Sequence, residues 1–182
     1  INTTSVGMYP HTDCSLISLS GFKRLKGVFD VIYNPLRTKL LLEAEERGLV
    51  YSDGLPMLIA QAFYADEIFF KRKNAVEKLE AIISEIRRDK ENIILIGMPG
   101  VGKTTLGKAL AKVLKRPFYD SDVLLREKIG DLSAYIKEEG ETKFRQEETA
   151  ILESLGKETG MVIATGGGVI TRQENYNHLR QN

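Results

Sequence analysis

The chain has 182 residues, of which 28% are charged and 42% hydrophobic, and its formal net charge is +1. This composition is typical of a globular protein of one or two domains, and the small net charge argues against a nucleic-acid or membrane partner. No apolar run approaches the roughly 20 residues of a membrane span, and the N-terminus lacks the layout of a signal peptide. Because Cys14 is the only cysteine, an internal disulfide is excluded and a reducing, cytoplasmic location is expected.

The first part of the chain predicts strands alternating with helices. Strands are expected at 1–4 and 27–33, and helices at 38–48, 57–63 and 74–90. The helix at 57–63 is almost wholly apolar and carries one amide, Gln61, which we expect to be interior. A buried amide needs a partner, and a ligand hydroxyl or a backbone carbonyl would serve equally well.

A domain boundary is predicted where the composition changes, at the charge run 87–92. It divides the chain into domains at 1–88 and 89–182. No Gly/Ser-rich or Pro-rich linker separates them, so we expect one helix to run nearly into the second domain.

Near the start of the second domain, the stretch 97–105 fits the phosphate-loop pattern G-x-x-x-x-G-K-[ST]. An apolar strand precedes it, and a helical pattern of Leu106, Leu110, Val113 and Leu114 follows. Such a loop points backbone N–H groups at phosphates, while its lysine reaches the β and γ phosphates and its threonine ligates Mg²⁺. The alternative is a glycine-rich turn without a ligand. The predicted nucleotide contacts are Gly97, Gly100, Val101, Gly102, Lys103, Thr104 and Thr105.

Further strands are expected at 117–119 and 161–165, separated by helices, which predicts an α/β fold with a parallel sheet. Asp120-Ser121-Asp122 and Gly166-Gly167-Gly168 each follow a strand, so they should share the ligand-binding edge with the phosphate loop. In extended geometry Asp120 and Asp122 would point the same way and could divide metal binding from orientation of an attacking hydroxyl. Alternatively, one of them caps the next helix.

Arg145 lies in a predicted helix and could grip an anionic substrate with its guanidinium group. Spacing alone favours a surface salt bridge with Glu141 or Glu148 instead. Bare backbone at 166–168 would let a substrate approach closely, although a tight turn explains the three glycines equally well.

Together these residues resemble shikimate kinase, a small P-loop kinase, over residues 92–182. The resemblance rests on the phosphate loop, Asp120-Ser121-Asp122, Gly140-Glu141-x-x-Phe144-Arg145 and Gly166-Gly167-Gly168, in the family's order. It implies a P-loop NTPase-type parallel sheet with flanking helices, and ATP- and Mg²⁺-dependent phosphorylation of the 3-hydroxyl of shikimate.

The resemblance also implies a role for each matching residue. Lys103 would act on the transferring phosphate, and Thr104 and Asp120 would hold the metal, Asp120 through water. Asp122 would orient or deprotonate the hydroxyl, Arg145 would bind the substrate carboxylate rather than form a mere salt bridge, and Gly167, flanked by Gly166 and Gly168, would contact substrate through its backbone.

The first domain resembles the C-terminal part of shikimate dehydrogenase, an NADP-binding Rossmann-type domain with its terminal helices, through residues 1–5, 30–35 and 53–62. That likeness implies that Tyr33 and Gln61 face shikimate, while Val31 and Gly54 line the nicotinamide end of NADP.

Parts of both families' patterns are missing from the chain. The first domain lacks the G-x-G-x-x-G/A fingerprint and the upstream catalytic domain, and the second stops before the lid and the adenine-binding segment. We therefore expect a fragment at both ends, the junction of a fused dehydrogenase and kinase, which by itself is weak or inactive. A kinase for another hydroxy acid such as gluconate and a non-catalytic nucleotide-binding module are the alternatives. The sequence predicts no oligomeric state.

Overall fold

A computed structural model describes the backbone of residues 1–182 and the side chains of all of them except Ile170. The chain divides into two compact units, one of residues 1–91 with Gln181 and one of residues 92–180 with Asn182. No helix in the described part of the chain is both long and apolar enough to cross a membrane.

The first unit contains two short parallel strands and three helices, of which the first packs on the strands and the other two pack against each other. Its elements are β1 (Gly27–Phe29), α1 (Lys39–Glu46), β2 (Val50–Ser52), α2 (Leu55–Phe70) and α3 (Val76–Lys90), with a 3₁₀ turn at Leu19–Gly21. β1 pairs with β2 so that Val28 lies opposite Tyr51. Residues 1–4 contribute only a single parallel bridge, between Asn2 and Asp30, and β2 was not anticipated from the sequence.

Asp30 organises the strand ends of this unit and is fully buried. Its carboxylate accepts hydrogen bonds from the Thr38 hydroxyl at 2.7 Å and from the Ile32 N–H and the Asn2 amide, each at 3.1 Å. Thr38 is also the N-cap of α1, where its hydroxyl accepts from the Leu41 N–H. A buried carboxylate with this many donors is satisfied, so it joins three neighbouring segments without leaving a polar group unpaired.

The second unit is a three-stranded parallel sheet with helices between its strands. Its elements are β3 (Ile93–Leu95), α4 (Lys103–Leu114), β4 (Phe118–Asp120), α5 (Ser121–Ile129), α6 (Leu132–Glu139), α7 (Glu141–Lys157), β5 (Val162–Ala164) and α8 (Gln173–Leu179), with a 3₁₀ turn at Val169–Thr171. The strand order is β3-β5-β4, and Ile163 lies between Ile94 and Tyr119. This architecture confirms the predicted α/β class with a parallel sheet and flanking helices.

β5 is buried on both faces, as expected for the central strand of a sheet covered by helices. Ile163 and Met161 pack with Leu125 of α5 and with Phe144 and Leu155 of α7 in one apolar cluster. Each such side chain contributes about 1.5–3 kcal/mol when fully buried. Since β5 is central, the segment that follows it emerges between the segments that follow β3 and β4.

The helix predicted after the phosphate loop is present as α4, but its buried face is made by small residues. Leu106 and Val113, which belong to the predicted helical pattern, are 59% and 78% exposed, whereas Gly107 and Ala111 are buried. A Cβ at Gly107 would press into the ring of Phe118. Small residues therefore face the sheet, because they let the helix axis approach β4 closely, and large apolar residues are left outside.

Candidate active site

Three loops converge at the carboxyl edge of the three-stranded sheet. The phosphate loop follows β3, Asp120-Ser121-Asp122 ends β4 and begins α5, and the three glycines follow β5. Because β5 is the middle strand, the glycine segment contacts both of the other loops. Parallel sheets bind their ligands at this edge.

The phosphate loop has a backbone that requires glycine. Gly97, Gly100 and Gly102 have φ angles of 149°, 80° and 88°, in the range that other residues rarely adopt. Gly102 is the N-cap of α4, so the positive end of that helix faces the loop. The Lys103 ammonium group donates to the carbonyl oxygens of Gly97 and Met98, at 2.7 and 2.8 Å. The lysine is thus folded over the loop, where a phosphate can replace those carbonyls as acceptor.

Thr104 and Asp120 are brought together as the sequence predicted. The Thr104 hydroxyl donates to Asp120 Oδ2 at 2.6 Å, while Oδ1 of the same carboxylate accepts from the Asp122 N–H at 3.0 Å. Asp120 is therefore the N-cap of α5, so the capping alternative holds for this residue, but only one of its oxygens is used in the cap. The other oxygen is directed at the phosphate loop.

The Thr104 and Asp120 pair fits a magnesium ion. A hydroxyl and a carboxylate oxygen are hard ligands, and Mg²⁺ is usually held by one or two such protein groups together with substrate phosphates and water. Among the described residues no group of three or more His, Cys, Asp or Glu side chains could form a metal cage. A hydroxyl–carboxylate pair of this kind suits a metal that arrives with a nucleotide.

Asp122 lies in the first turn of α5, so the extended geometry that would point Asp120 and Asp122 the same way does not continue through this residue. The helix turns its carboxylate toward the glycine segment, where a Cβ on Gly166 would lie 2.5 Å from Oδ1. Burial, and then the negative charge of Asp120, raise the pKa of Asp122, against weaker opposing effects of Arg126 and Lys103. A carboxylate with a raised pKa holds a proton more readily, as a general base must.

Arg145 forms both of the salt bridges that its spacing allowed. Its guanidinium group donates to Glu148 at 2.9 Å and to Glu141 at 3.3 Å. The two partners differ, since the Glu148 side chain is 5% exposed and that of Glu141 is 71% exposed. Ion pairs at the surface contribute little, so the contact with Glu141 can be exchanged for another anion, while Glu148 keeps the guanidinium group in place.

Each of the three glycines at 166–168 faces a different part of the site. A Cβ on Gly166 would meet Asp122. A Cβ on Gly167 would lie 2.6 Å from the ring of Pro99, and a Cβ on Gly168 would overlap the guanidinium group of Arg145. None of these glycines has a positive φ angle. The glycines are therefore explained by space rather than by backbone conformation, most strictly at Gly167, where the neighbour is a proline ring and not the end of a flexible side chain.

Sequence reasoning missed two features of the site, which are the contact made by Ser121 and the burial of Glu148. Ser121 is 3% exposed and its hydroxyl accepts from the Gly166 N–H at 3.0 Å, which ties the start of α5 to the glycine segment. Its position between two aspartates was the only available signal. Glu148 was named as a possible partner of Arg145, but its burial depends on packing that the sequence does not display.

The structure of the first unit brings two of its four predicted site residues together. A Cβ on Gly54 would overlap the backbone of Val31, so these two segments are in close contact. Tyr33 is 41% exposed. Gln61 is also exposed, so its expected interior position was wrong and its amide needs no protein partner. Sequence reasoning also missed the buried Asp53, which lies beside Gly54 and pairs with Arg87 at 2.7 Å.

A parallel sheet whose first strand leads through a phosphate loop into a helix is the P-loop NTPase fold. The shikimate kinase family model matches residues 99–182. Shikimate kinases of Legionella pneumophila (strain Corby) and Vibrio parahaemolyticus are 49% identical over 89 residues and 47% identical over 92 residues. These alignments cover 48% and 50% of this chain and 51% and 54% of the relatives.

A solved structure, that of shikimate kinase from Acinetobacter baumannii in complex with shikimate, superposes with a TM-score of 0.50 and 41% identity. The superposition covers 54% of this chain and 55% of that one. The chain therefore spans about half the length of the curated relatives it matches. In these comparisons the second half of the chain is similar to shikimate kinases.

Proposed function

We propose that the protein containing these residues transfers the γ-phosphoryl group of ATP to the 3-hydroxyl of shikimate. The observation that supports this proposal is that one edge of the sheet carries a phosphate loop, a hydrogen-bonded hydroxyl–carboxylate pair, a half-buried aspartate and an anchored arginine. Phosphoryl transfer needs positioning and charge stabilisation more than covalent chemistry, and this set supplies both.

On the nucleotide side, the N–H groups of the phosphate loop receive the phosphates, and Lys103 exchanges its contacts with Gly97 and Met98 for phosphate oxygens. Its charge then stabilises the negative charge that moves during transfer. Thr104 and Asp120 would hold Mg²⁺, Asp120 through water, and bound Mg²⁺ offsets phosphate charge.

On the acceptor side, Asp122 receives the proton of the attacking hydroxyl. Its raised pKa suits this role, because the carboxylate is desolvated and lies near a second negative charge. Arg145 keeps its contact with buried Glu148 and exchanges exposed Glu141 for the substrate carboxylate. The backbone of Gly167 bounds the space between them, with Gly166 and Gly168 on either side.

The test is an assay that couples ADP release to a spectroscopic signal, with ATP, Mg²⁺ and shikimate, on the whole protein. Replacing a general base lowers the rate by about 10²–10⁴-fold, so we expect the Asp122→Asn variant to release ADP more slowly by that factor. Glu127→Gln, an exposed change on the same helix, should keep the parent rate.

Three results, from this assay and from a measurement of nucleotide binding, would contradict the proposal. Turnover with a sugar acid such as gluconate but not with shikimate would indicate a kinase for another hydroxy acid. Binding of ATP and Mg²⁺ without any turnover would indicate a non-catalytic nucleotide-binding module. An Asp122→Asn variant as fast as the parent would remove Asp122 from the mechanism.

We further propose that the first unit is part of an NADP-dependent shikimate dehydrogenase fused to the kinase. The supporting observation is that residues 2, 30 and 52 lie side by side in parallel strand segments, with Gly54 against the backbone of Val31 just beyond them. Val31 and Gly54 would line the nicotinamide end of NADP, and the exposed side chains of Tyr33 and Gln61 would contact the substrate.

The dehydrogenase proposal is tested by NADPH oxidation with 3-dehydroshikimate in the whole protein. We expect Gln61→Ala to raise the KM for 3-dehydroshikimate about tenfold, which is the loss of about one hydrogen bond. Ile68→Ala, which is 76% exposed on the same helix, should leave that KM unchanged. Absence of NADPH oxidation in a protein that phosphorylates shikimate would refute the fusion while leaving the kinase proposal intact.

A further inference from the structure

Asn175 is a fully buried polar residue that the proposed mechanism does not use. It lies in α8 and is 0% exposed. Its side-chain N–H donates to the carbonyl oxygen of Val169 at 2.9 Å, and its side-chain oxygen accepts from the hydroxyl of Thr149 at 2.9 Å. Burial of an amide is unfavourable unless both of its ends are bonded, and here both are.

The two partners of Asn175 belong to the two parts of the acceptor site. Val169 directly follows the glycine segment, and its own N–H donates to Gly166 at 3.4 Å. Thr149 lies on α7, one turn after Arg145, and so shares the helix that carries the guanidinium group. The Asn175 amide therefore connects the end of the glycine segment to the arginine-bearing helix through two hydrogen bonds.

The glycine segment and the Arg145 guanidinium group, which this bridge connects, lie very close to each other. The third glycine of the segment lies against the guanidinium group so closely that a Cβ there would overlap it. The nucleotide side of the site is held by other contacts, namely those of Lys103 to the phosphate loop and of Thr104 to Asp120. A change in the bridge should therefore affect the acceptor side more than the nucleotide side.

We propose that Asn175 is a positioning residue that sets the distance between the Arg145 guanidinium group and the Gly167 backbone, and thereby the affinity for the carboxylate-bearing acceptor. This inference rests on the proposed kinase function. Asn175 touches neither substrate, and it acts only through Val169 and Thr149.

The test compares two variants of the whole protein in the ADP-release assay. Asn175→Asp keeps the shape and the acceptor for Thr149 but places a carboxylate oxygen against the Val169 carbonyl, and Thr149→Val breaks the bridge from its other end without adding charge. Because weakening about one hydrogen bond to the substrate lowers affinity about tenfold, we expect the KM for shikimate to rise about tenfold in each. The KM for ATP and kcat should stay within about twofold of the parent, because Lys103, Thr104 and Asp120 are held by separate contacts.

Gln173→Glu is the matched control, because it makes the same amide-to-acid change at an exposed position of the same helix. It should leave both KM values unchanged. If Asn175→Asp does not fold, Thr149→Val alone decides the question.

Each contrary outcome has a separate meaning. An active parent in which both variants keep the shikimate KM would overturn the inference alone. An equal rise in the KM values for ATP and for shikimate would show that Asn175 has only a structural role. An inactive parent would overturn the kinase proposal and this inference with it.

Discussion

Replacing Gly156 by alanine should destabilise the second unit, although helix propensity alone predicts the opposite. Gly156 is buried in α7, and a Cβ there would lie about 1 Å inside the 3.0 Å limit that real Cβ atoms keep from other atoms. The atom it would meet is the backbone carbonyl oxygen of His178 in α8, which cannot rotate away as a side chain could. The two helices would have to separate.

The magnitude follows from two opposing terms. Alanine gains about 1 kcal/mol over glycine in a helix interior, whereas overpacking costs about 1–3 kcal/mol. Because the clash involves backbone on both sides, we take the upper end of the packing term and expect a net loss of about 2 kcal/mol.

Urea unfolding followed by circular dichroism measures this loss. With a denaturant dependence of about 2 kcal/mol per molar, the midpoint for the second unit should fall by about 1 M. Ser154→Ala, an exposed change on the same helix, is the matched control and should raise the midpoint slightly through helix propensity. If Gly156→Ala shifted the midpoint upward as Ser154→Ala does, the packing argument would be refuted.

Two further predictions concern the site. The folded-state pKa of Asp122 is raised by burial, so its favourable contribution to stability is present below the carboxyl's ordinary pKa and is lost as pH rises through the folded-state value. Asp122→Asn should therefore unfold at higher urea than the parent at neutral pH, with the gain disappearing in acid, and a variant less stable at neutral pH would contradict this. Lys103→Ala should lower the transfer rate by about 10²–10³-fold or more while the circular dichroism spectrum is kept, because the lysine acts on phosphate charge. The exposed Lys108→Ala serves as its control, and equal rates in Lys103→Ala and parent would refute the phosphate-loop assignment.

The local motifs of the second unit could be predicted because their physical requirements lie within a few adjacent residues. The phosphate loop needs glycines with positive φ angles between a strand and a helix, and that pattern is visible in Gly97, Gly100 and Gly102. The order of strands and helices likewise placed Asp120 and Gly166 at one edge of a parallel sheet. The nearness of Thr104 to Asp120 followed from that edge.

The sequence could not show which side chains are buried, since burial depends on elements distant along the chain. The helical pattern after the phosphate loop predicted α4, but it could not show that the close contact with Phe118 requires glycine on that side and leaves Leu106 and Val113 exposed. An apolar neighbourhood made Gln61 look interior, yet α2 presents it to solvent. Both helices carry more apolar residues than the rest of their unit covers.

By itself, the sequence determined the phosphate loop, the parallel α/β class and the set of residues that meet at the sheet edge, because these depend on local backbone chemistry and chain order. Only the tertiary structure decided which hydrogen bonds and salt bridges those residues form. Asp120 both caps α5 and receives Thr104, and Arg145 has one buried and one exposed partner. The Asn175 bridge joins positions 149, 169 and 175, and such a contact exists only once α7 and α8 are packed together.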